Sequence, residues 1–352
     1  MNDNYKTSTI LQEWYATNRR DLPWRHLNDP YLIWISEIIL QQTRVAQGLE
    51  YFNRFIERFP DVRHLAEADQ VEVLKYWQGL GYYSRARNLH ETAKDIYQRL
   101  NGIFPHRYDD ILALKGIGEY TAAAIVSFAW NQPYPVVDGN VYRVIGRLFA
   151  LETPIDTGKG KKEYLELATL LMPPDLAGIH NQAIMEFGAL LCIPQNPDCS
   201  TCPLSALCLG YASGNPNQYP VKQHKTKIRN RYLHYFFIRY GTDTYIHRRS
   251  GKDIWEGLYE FPLIETNRPT EFSDLNTEVA FRQLFDKSMQ PVFSSETSQK
   301  KHLLTHQILH TTFYKVEIKS ESPLLKKYQK IPLSTLDDYP FPKLISAFLE
   351  HL

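Results

Sequence analysis

All four cysteines of the chain fall in one short segment, at Cys192, Cys199, Cys202 and Cys208. Their spacing, Cys-x6-Cys-x2-Cys-x5-Cys, allows four thiolates to surround one compact inorganic site. Zinc ribbons carry two short Cys-x2-Cys hooks, whereas this segment has one. The spacing therefore favours a [4Fe–4S] cluster over a zinc ion, and the clustering favours a metal site over a disulfide framework. Since no nearby residue suggests a redox partner, we expect the cluster to organise a loop.

A carboxylate at Glu37 lies in a strongly apolar helical pattern. Burial in such surroundings disfavours the charged form and raises the pKa, which suits a general acid near neutral pH. The alternative is a glutamate turned to solvent on an amphipathic helix. The neighbours three and four positions away are Ile33, Trp34, Leu40 and Gln41.

A second carboxylate, Asp138, precedes Gly139 at the start of a helical pattern. The simplest interpretation is a helix N-cap or a turn aspartate. A helix N-terminus keeps a carboxylate ionised, so we expect a depressed pKa here. One raised and one depressed carboxyl form an acid and an anionic stabiliser, the division of labour that breaks glycosidic bonds.

Two glycines, Gly116 and Gly118, separate a short apolar helix end from the start of a helix. Glycine permits positive φ and close backbone approach, and the helix N-terminus offers free N–H groups to a phosphate. The pattern matches a helix-hairpin-helix. An ordinary corner between two helices is the alternative.

These groups need a scaffold, and the apolar spacing predicts two different domains. Residues 10–209 show mostly helical spacing and predict an all-α domain, with helical runs at 31–45, 71–77, 86–100, 120–129, 141–148 and 164–171. Residues 211–231 have the composition of a linker. Beyond them, residues 232–248 predict a β-hairpin and residues 302–352 further strands and a final helix, so the second domain is α+β.

The charge balance limits the partners. Lys plus Arg number 40 and Asp plus Glu 39, which argues against polyanion binding through bulk charge. Positive charge is instead local, since residues 199–242 hold six basic residues and no acidic one. No apolar run approaches the roughly 18 residues of a membrane span, and no secretory signal is visible. We expect a cytoplasmic protein without a membrane partner.

Taken together, these motifs resemble MutY-type adenine DNA glycosylases, in the helix-hairpin-helix superfamily that includes endonuclease III. The resemblance covers nearly the whole chain. It implies removal of adenine mispaired with 8-oxoguanine or guanine in duplex DNA, by a helical domain with a [4Fe–4S] loop and a C-terminal Nudix-like domain. The matching stretches are residues 22–25, 36–43, 78–87, 114–122, 137–143 and the four cysteines.

The resemblance also implies roles for individual residues. Glu37 would protonate the flipped adenine, at N7, and help to activate water, while Asp138 would stabilise the oxocarbenium-like sugar or attack it transiently. Tyr120 and Asn140 would flank the sugar and Asp138. The implied substrate contacts are Trp24, Arg25 and Gln182 around adenine, Gln42, Leu80 and Tyr82 as wedge residues, Gln41 and Thr43 beside them, and Gly116 and Gly118 in the hairpin.

Tyr120 indicates the reaction subtype. Relatives that also cleave the strand carry a Schiff-base lysine at this position, and a phenol cannot form an imine. We therefore expect a monofunctional, hydrolytic enzyme. The rival interpretations are an endonuclease III-type glycosylase and lyase acting on oxidised pyrimidines, and a non-catalytic DNA-damage binding protein. For Tyr82 and Tyr83 the alternative to a wedge role is core packing.

The C-terminal domain resembles the Nudix fold through residues 255–262, but no helix with the metal-binding acidic motif follows. Nucleotide hydrolysis is therefore not expected. We expect this domain to recognise 8-oxoguanine instead. The Phe-Ser-His recognition loop of the family corresponds to Leu304, Thr305 and His306, so the hydroxyl survives and the aromatic ring is lost. The alternative for Thr305 and His306 is that they are ordinary strand residues.

These inferences define the domain boundaries. The catalytic domain is expected over residues 1–210, with a six-helix barrel part at about 26–135 and a cluster part from 1–25 and 136–210. A linker at 211–231 leads to the Nudix-like domain at 232–352. We expect a monomer that associates with the nucleoid and binds double-stranded DNA containing A:8-oxoguanine or A:G mispairs.

Overall fold

The computed structural model describes residues 3–223 and 228–352. Those that lie within 1–67 and 88–224 form one compact unit, and those within 68–87 and 225–352 form a second. The helices are α1 (Asp3–Asn18), α2 (Pro30–Leu40), α3 (Val45–Arg58), α4 (Val62–Glu67), α5 (Gln70–Tyr76), α6 (Ser84–Arg99), α7 (Tyr108–Leu112), α8 (Glu119–Trp130), α9 (Gly139–Leu148), α10 (Gly158–Leu171), α11 (Ala177–Leu190), α12 (Leu209–Ala212), α13 (Phe272–Leu275), α14 (Val279–Arg282) and α15 (Lys343–Leu349).

The first unit is helical, as the apolar spacing predicts. Its core includes a cluster in which α1, α9, α10 and α11 bury their apolar faces against one another. Such helices are stable mainly because an apolar face is removed from water, at about 25 cal/mol per Å². Representative members of this cluster are Leu11, Ile145, Tyr164, Ile184 and Phe187.

The continuous helical run predicted over 31–45 is wrong. Helix α2 ends at Leu40 and α3 begins at Val45, with a turn between them. Gln42 has a positive φ of 57°, a backbone conformation that cannot continue a right-handed helix. The break gives the connection its own turn, and Gln41, Gln42 and Thr43 all lie in it.

The second unit contains a seven-stranded sheet among the described residues. The path runs β3-β2-β1-β6-β5, with β4 paired to β1 and β7 paired to β2. Strands β1 and β6 are parallel, and the other pairs are antiparallel. The strands are β1 (Arg229–Tyr240), β2 (Asp243–Arg248), β3 (Tyr259–Glu260), β4 (Leu263–Thr266), β5 (Val292–Leu303), β6 (Gln307–Glu317) and β7 (Gln329–Pro332).

Both faces of this sheet are covered by apolar side chains. Leu233, Tyr235 and Phe237 of β1 point to the face that packs against α15, whereas Phe236 and Ile238 point to the face covered by 272–289. The alternation follows from the two-residue period of a strand. The predicted hairpin is confirmed, because β1 and β2 pair antiparallel across Gly241, which has a φ of 60°.

None of the described helices combines the length and the apolar character needed to span a membrane.

Two buried histidines make the stability of the fold depend on pH. Burial lowers the pKa of His180 in the first unit and of His234 in the second to about 4. The unfolded chain binds these protons near pH 6.5, so the stabilising contribution is complete above that pH and is lost as pH falls towards 4. Protonation of each histidine lowers the free energy of unfolding by at most about 3 kcal/mol.

We therefore expect the free energy of unfolding in urea to fall between pH 6.5 and 4. The double variant His180→Gln, His234→Gln should flatten this dependence, whereas His351→Gln, at an exposed position, should leave it intact. An unchanged pH slope in the double variant would contradict the assignment.

Candidate active site

Glu37 is buried in the middle of α2. The helix begins where the Asp29 side chain accepts from the backbone N–H of Tyr31, followed by Pro30 at its first position. Only 6% of Glu37 is exposed, and Tyr120 Oη donates to its Oε2 at 2.7 Å. Burial raises the pKa of Glu37, the Tyr120 hydrogen bond opposes the rise, and the prediction of a desolvated carboxyl is confirmed.

Asp138 is the N-cap of α9, as the sequence indicates. Its Oδ1 accepts from the backbone N–H groups of Asn140 and Val141 at 2.9 and 2.8 Å, and its Oδ2 accepts from Asn140 Nδ2 at 2.7 Å. The prediction of a depressed pKa is wrong. Burial raises the pKa of Asp138, and this effect exceeds that of the three hydrogen bonds and of nearby Arg143, which lower it.

Tyr120 lies in the first turn of α8, directly after the glycine hairpin. Burial and the nearby carboxylates hold its pKa well above the usual value, so the phenol stays protonated and donates. Gly116 adopts a φ of +77°, and a Cβ there would lie 2.6 Å from Asn88 Cβ. Gly118 is the N-cap of α8. The hairpin thus packs tightly at Gly116 and directs Tyr120 towards Glu37.

Glu37, Tyr120 and Asp138 line one cavity of about 370 Å³. Its volume falls in the range of small-molecule sites, and its wall is mixed in polarity. Gln182 is not among its lining residues; its Oε1 accepts from Tyr15 Oη at 2.7 Å. Other predicted contacts that line the cavity are Trp24, Arg25, Gln41, Gln42, Thr43 and Asn140.

Sequence reasoning missed Glu186, a fully buried carboxylate in the wall of this cavity. It accepts from Arg20 Nε and Nη2 at 2.7 Å each and from Arg25 Nη2 at 2.9 Å. The two guanidinium groups lower its pKa despite burial. A charged residue inside the apolar helix α11 was the available signal, because such a residue is buried only when paired. Glu186 orients Arg25 at the cavity.

A chain of hydrogen bonds joins Asp138 to the cysteine segment. Asn140 donates to Asp138, and Arg143 Nη2 donates to Asn140 Oδ1 at 2.8 Å. Arg143 Nε donates to the carbonyl of Cys192 at 2.7 Å. The helices α9 and α11 meet closely here, since a Cβ on Gly188 would lie 2.7 Å from Asn140 Cβ. The position of Cys192 is therefore mechanically connected to that of the Asp138 carboxylate.

The four cysteines line one small cavity beside α9. Arg147, which is 2% exposed, donates to Cys192 Sγ at 3.3 Å and to the carbonyls of Ile193 and Pro194. In residues 3–223 and 228–352, no three His, Cys, Asp or Glu side chains converge tightly enough for one ion. Four cysteine thiols that line one cavity are the residue type and number that hold an iron–sulfur cluster.

In the second unit, the predicted wedge and reading loop contact each other. Tyr82 is 47% exposed with a φ of 47°, and its Oη lies 2.6 Å from Thr305 Oγ1. Leu80 and Tyr83 are buried at 8% and 4% exposure, so core packing describes Tyr83 but not Tyr82. Thr305 and exposed His306 lie in the turn between β5 and β6, and their interpretation as strand residues is wrong.

The fold and these sites are those of a class of base excision DNA repair proteins. Residues 35–169 match the family of HhH-GPD superfamily base excision DNA repair proteins, and residues 234–351 match the NUDIX domain family. A thermostable thymine-DNA glycosylase superposes with a TM-score of 0.56 at 31% identity, covering 60% of this chain and 98% of that structure.

Comparison with individual relatives identifies the family within this class. The adenine DNA glycosylase of Buchnera aphidicola from Acyrthosiphon pisum is 32% identical, over 93% of this chain and 91% of its own. That of Buchnera aphidicola from Schizaphis graminum is 37% identical, over 76% of this chain and 77% of its own. The human adenine DNA glycosylase is 41% identical over 56% of this chain and 38% of its own. The chain belongs to the adenine DNA glycosylase family.

Proposed function

We propose that this protein is a monofunctional DNA glycosylase of base excision repair that hydrolyses the N-glycosidic bond of adenine mispaired with 8-oxoguanine or guanine in duplex DNA. The observation that carries the proposal is that Glu37 and Asp138 line the same cavity, where Tyr120 Oη donates to Glu37. An acid and an anion on opposite sides of a glycosidic bond form the minimal apparatus for breaking it.

Glu37 is the proposed general acid. Burial raises its pKa and so favours the protonated form, and the leaving adenine accepts that proton at N7. The Tyr120 hydroxyl, itself held neutral, fixes the carboxyl in one orientation. After protonation of adenine, the carboxylate form of Glu37 takes a proton from the attacking water.

Asp138 is the proposed partner of the positive sugar. When the bond to adenine breaks, charge develops on the sugar ring, and a preorganised carboxylate stabilises it without reorganisation. The N-cap hydrogen bonds hold Asp138 in place for this role. Burial raises the pKa of both carboxyls, but three hydrogen-bond donors oppose the rise at Asp138 and stabilise its charged form. Asp138 is therefore the proposed anion, and Glu37 the proposed acid.

The adenine must leave the base stack to reach this cavity. Unstacking costs a few kcal/mol, which contacts inside the cavity and a wedge in the duplex offset. Trp24 and Arg25 are the proposed walls around the base, with Arg25 oriented by Glu186. Gln182 stays a predicted base contact, and its carbonyl oxygen accepts from Tyr15.

The mispaired base is the proposed ligand of the second unit. Tyr82 enters the duplex beside 8-oxoguanine or guanine, while Leu80 supports the loop from its buried position. Thr305 supplies a hydroxyl that both donates and accepts, next to Tyr82. His306 is exposed beside Thr305 and is a proposed contact to the DNA backbone. Backbone N–H groups around Gly116 and Gly118 provide a phosphate contact in the first unit.

A [4Fe–4S] cluster is the proposed cofactor, held by Cys192, Cys199, Cys202 and Cys208. When bound, it cross-links residues 192–208 into one fixed loop. The chain's own residues transmit that order, because Arg143 and Arg147 both bind the backbone at Cys192–Pro194.

Replacing Cys202 with Ser should remove the visible absorption of the cluster and lower the melting temperature, while Ser200→Ala should change neither.

A glycosylase assay tests the proposal. Duplexes carrying A opposite 8-oxoguanine, G, C or T are incubated with the protein and the released base is identified. We expect adenine release opposite 8-oxoguanine and guanine. Release of an oxidised pyrimidine instead would support an endonuclease III-type enzyme, and binding without release of any base would support a damage-binding protein; either result would overturn the proposal.

Borohydride trapping tests the hydrolytic course. Tyr120 cannot form an imine, and the nearby Lys115 is paired with Glu91 at 2.5 Å. We expect no strong covalent adduct with substrate DNA, whereas Tyr120→Lys should gain one, because the new amine faces the cavity. Robust trapping by the unmodified protein would show lyase chemistry and refute the monofunctional assignment.

A further inference from the structure

Residues 68–87, which carry Tyr82, belong to the same compact unit as the C-terminal sheet. Besides Tyr82, three residues of this segment, Gln70, Gln78 and Arg87, form side-chain hydrogen bonds with the rest of the unit. Arg248 Nη2 donates to Gln70 Oε1 at 2.5 Å, and Gln78 Nε2 donates to Ser346 Oγ on α15 at 2.7 Å. The third involves Arg87 and Glu256. The wedge loop is therefore anchored on both sides of Tyr82.

The Arg87 anchor is the strongest of these contacts. Its Nη1 donates to the carbonyl oxygen of Glu256 at 2.6 Å, and its Nη2 donates to the Glu256 carboxylate at 2.9 Å. Both side chains are largely shielded, with exposures of 20% and 37%. A guanidinium that grips a carbonyl and a carboxylate of one residue fixes both distance and orientation, which a single ion pair does not.

The turn that presents Glu256 is shaped for this contact. Trp255 and Gly257 both have positive φ, at 62° and 85°. A Cβ on Gly257 would lie 3.3 Å from Leu74 Cδ1 and 3.6 Å from Arg87 Cδ, so the turn packs directly on the wedge segment. The carbonyl of Gly257 accepts from Arg248 Nε at 3.1 Å, which connects the turn to the Gln70 contact.

From these contacts we propose that the turn 255–257 is the seat of the wedge, and that Glu256 is a positioning residue that holds Tyr82 beside Thr305 through Arg87. Nudix motif residues in this turn thus serve mispair recognition. The inference rests on the proposed function, since it gives Tyr82 a duplex to enter. Its consequence is that wedge and reading loop approach the DNA as one preformed body, without a separate ordering cost for the wedge.

Hydrogen–deuterium exchange tests the contact without relying on activity. In the full-length protein, Arg87→Met should accelerate exchange in the peptides covering 77–86 by about tenfold, and Glu256→Gln, which keeps the carbonyl bond to Arg87, by about threefold. Arg87→Lys keeps the charge and one donor and should restore part of the protection. Glu317→Gln is the matched control, since Glu317 pairs with Arg239 at 3.6 Å in the same unit. Unchanged exchange in Glu256→Gln would overturn the proposal.

Single-turnover excision tests the positioning role. With A opposite 8-oxoguanine, Arg87→Met should slow excision by about tenfold and Glu256→Gln, which keeps the carbonyl bond, by about threefold. The double variant should be no slower than Arg87→Met, because Arg87→Met already removes both hydrogen bonds. With A opposite an abasic-site analogue, where no partner base must be read, the loss in Arg87→Met should shrink to about twofold.

The outcomes distinguish failure of the positioning role from failure of the proposed function. Equal losses of rate on both duplexes would mean that the substitutions damage the fold in general, and additive losses would mean that Arg87 and Glu256 act independently. Either result would overturn the positioning role of Glu256 and leave the proposed glycosylase activity untouched. A wild-type protein that releases no adenine from any duplex would instead overturn the proposed function.

Discussion

Replacing Glu37 with Gln should slow adenine excision by about 10³-fold or more under single-turnover conditions. The amide has the same shape, and its oxygen can accept the hydrogen bond that Tyr120 donates to Glu37. Only the transferable proton is lost. The expected result is therefore a loss of rate with little change in duplex affinity, measured with enzyme in excess over DNA.

The pH profile distinguishes this role from a structural one. In the unmodified enzyme, excision should fall as pH rises through the raised pKa of Glu37, because the acid form disappears. The residual activity of Glu37→Gln should lack this alkaline limb. Glu119→Gln, at the exposed position directly before Tyr120, should keep both the excision rate and its pH profile. A fully active Glu37→Gln variant would refute the assignment of the acid.

Replacing Asp138 with Asn should lower the excision rate by about 10²- to 10³-fold, the usual cost of removing one preorganised charge from a transition state. Asparagine is as good an N-cap as aspartate, so the backbone hydrogen bonds of Asn140 and Val141 to this position persist. What is lost is the negative charge that faces the developing positive sugar.

A matched N-cap variant isolates that charge. Asp29→Asn, at the start of α2, should retain activity, because its carboxylate lies outside the cavity lining. Both variants should melt close to the unmodified protein in a thermal scan. If Asp138→Asn unfolded at a much lower temperature than Asp29→Asn, its loss of rate would be due to the fold rather than to the missing charge.

The local features of this site were predictable from sequence because they depend on near neighbours. The burial of Glu37 follows from the residues three and four positions away, and the cap at Asp138 from the Asp-Gly pair before an apolar helix. The β1–β2 hairpin follows from Gly241 between two aromatic, β-branched runs.

Features that depend on distant parts of the chain were not predictable. The pKa of Asp138 rises because tertiary packing removes water from it, which an N-cap pattern does not report. Glu186 finds Arg20 and Arg25 more than 160 residues away in sequence. Likewise, residues 68–87 read as part of the helical domain, but their contacts with Arg248, Glu256 and Ser346 place them in the other compact unit.

The close approach of Gly188 to Asn140 makes this glycine a sensitive position far from the reacting groups in sequence. Any side chain at Gly188 meets Asn140, whose amide holds the Asp138 carboxylate. Gly188 lines neither the cavity of Glu37 nor that of the cysteines, so a list of lining residues would pass over it. The packing nevertheless predicts that a substitution at Gly188 displaces the Asp138 carboxylate.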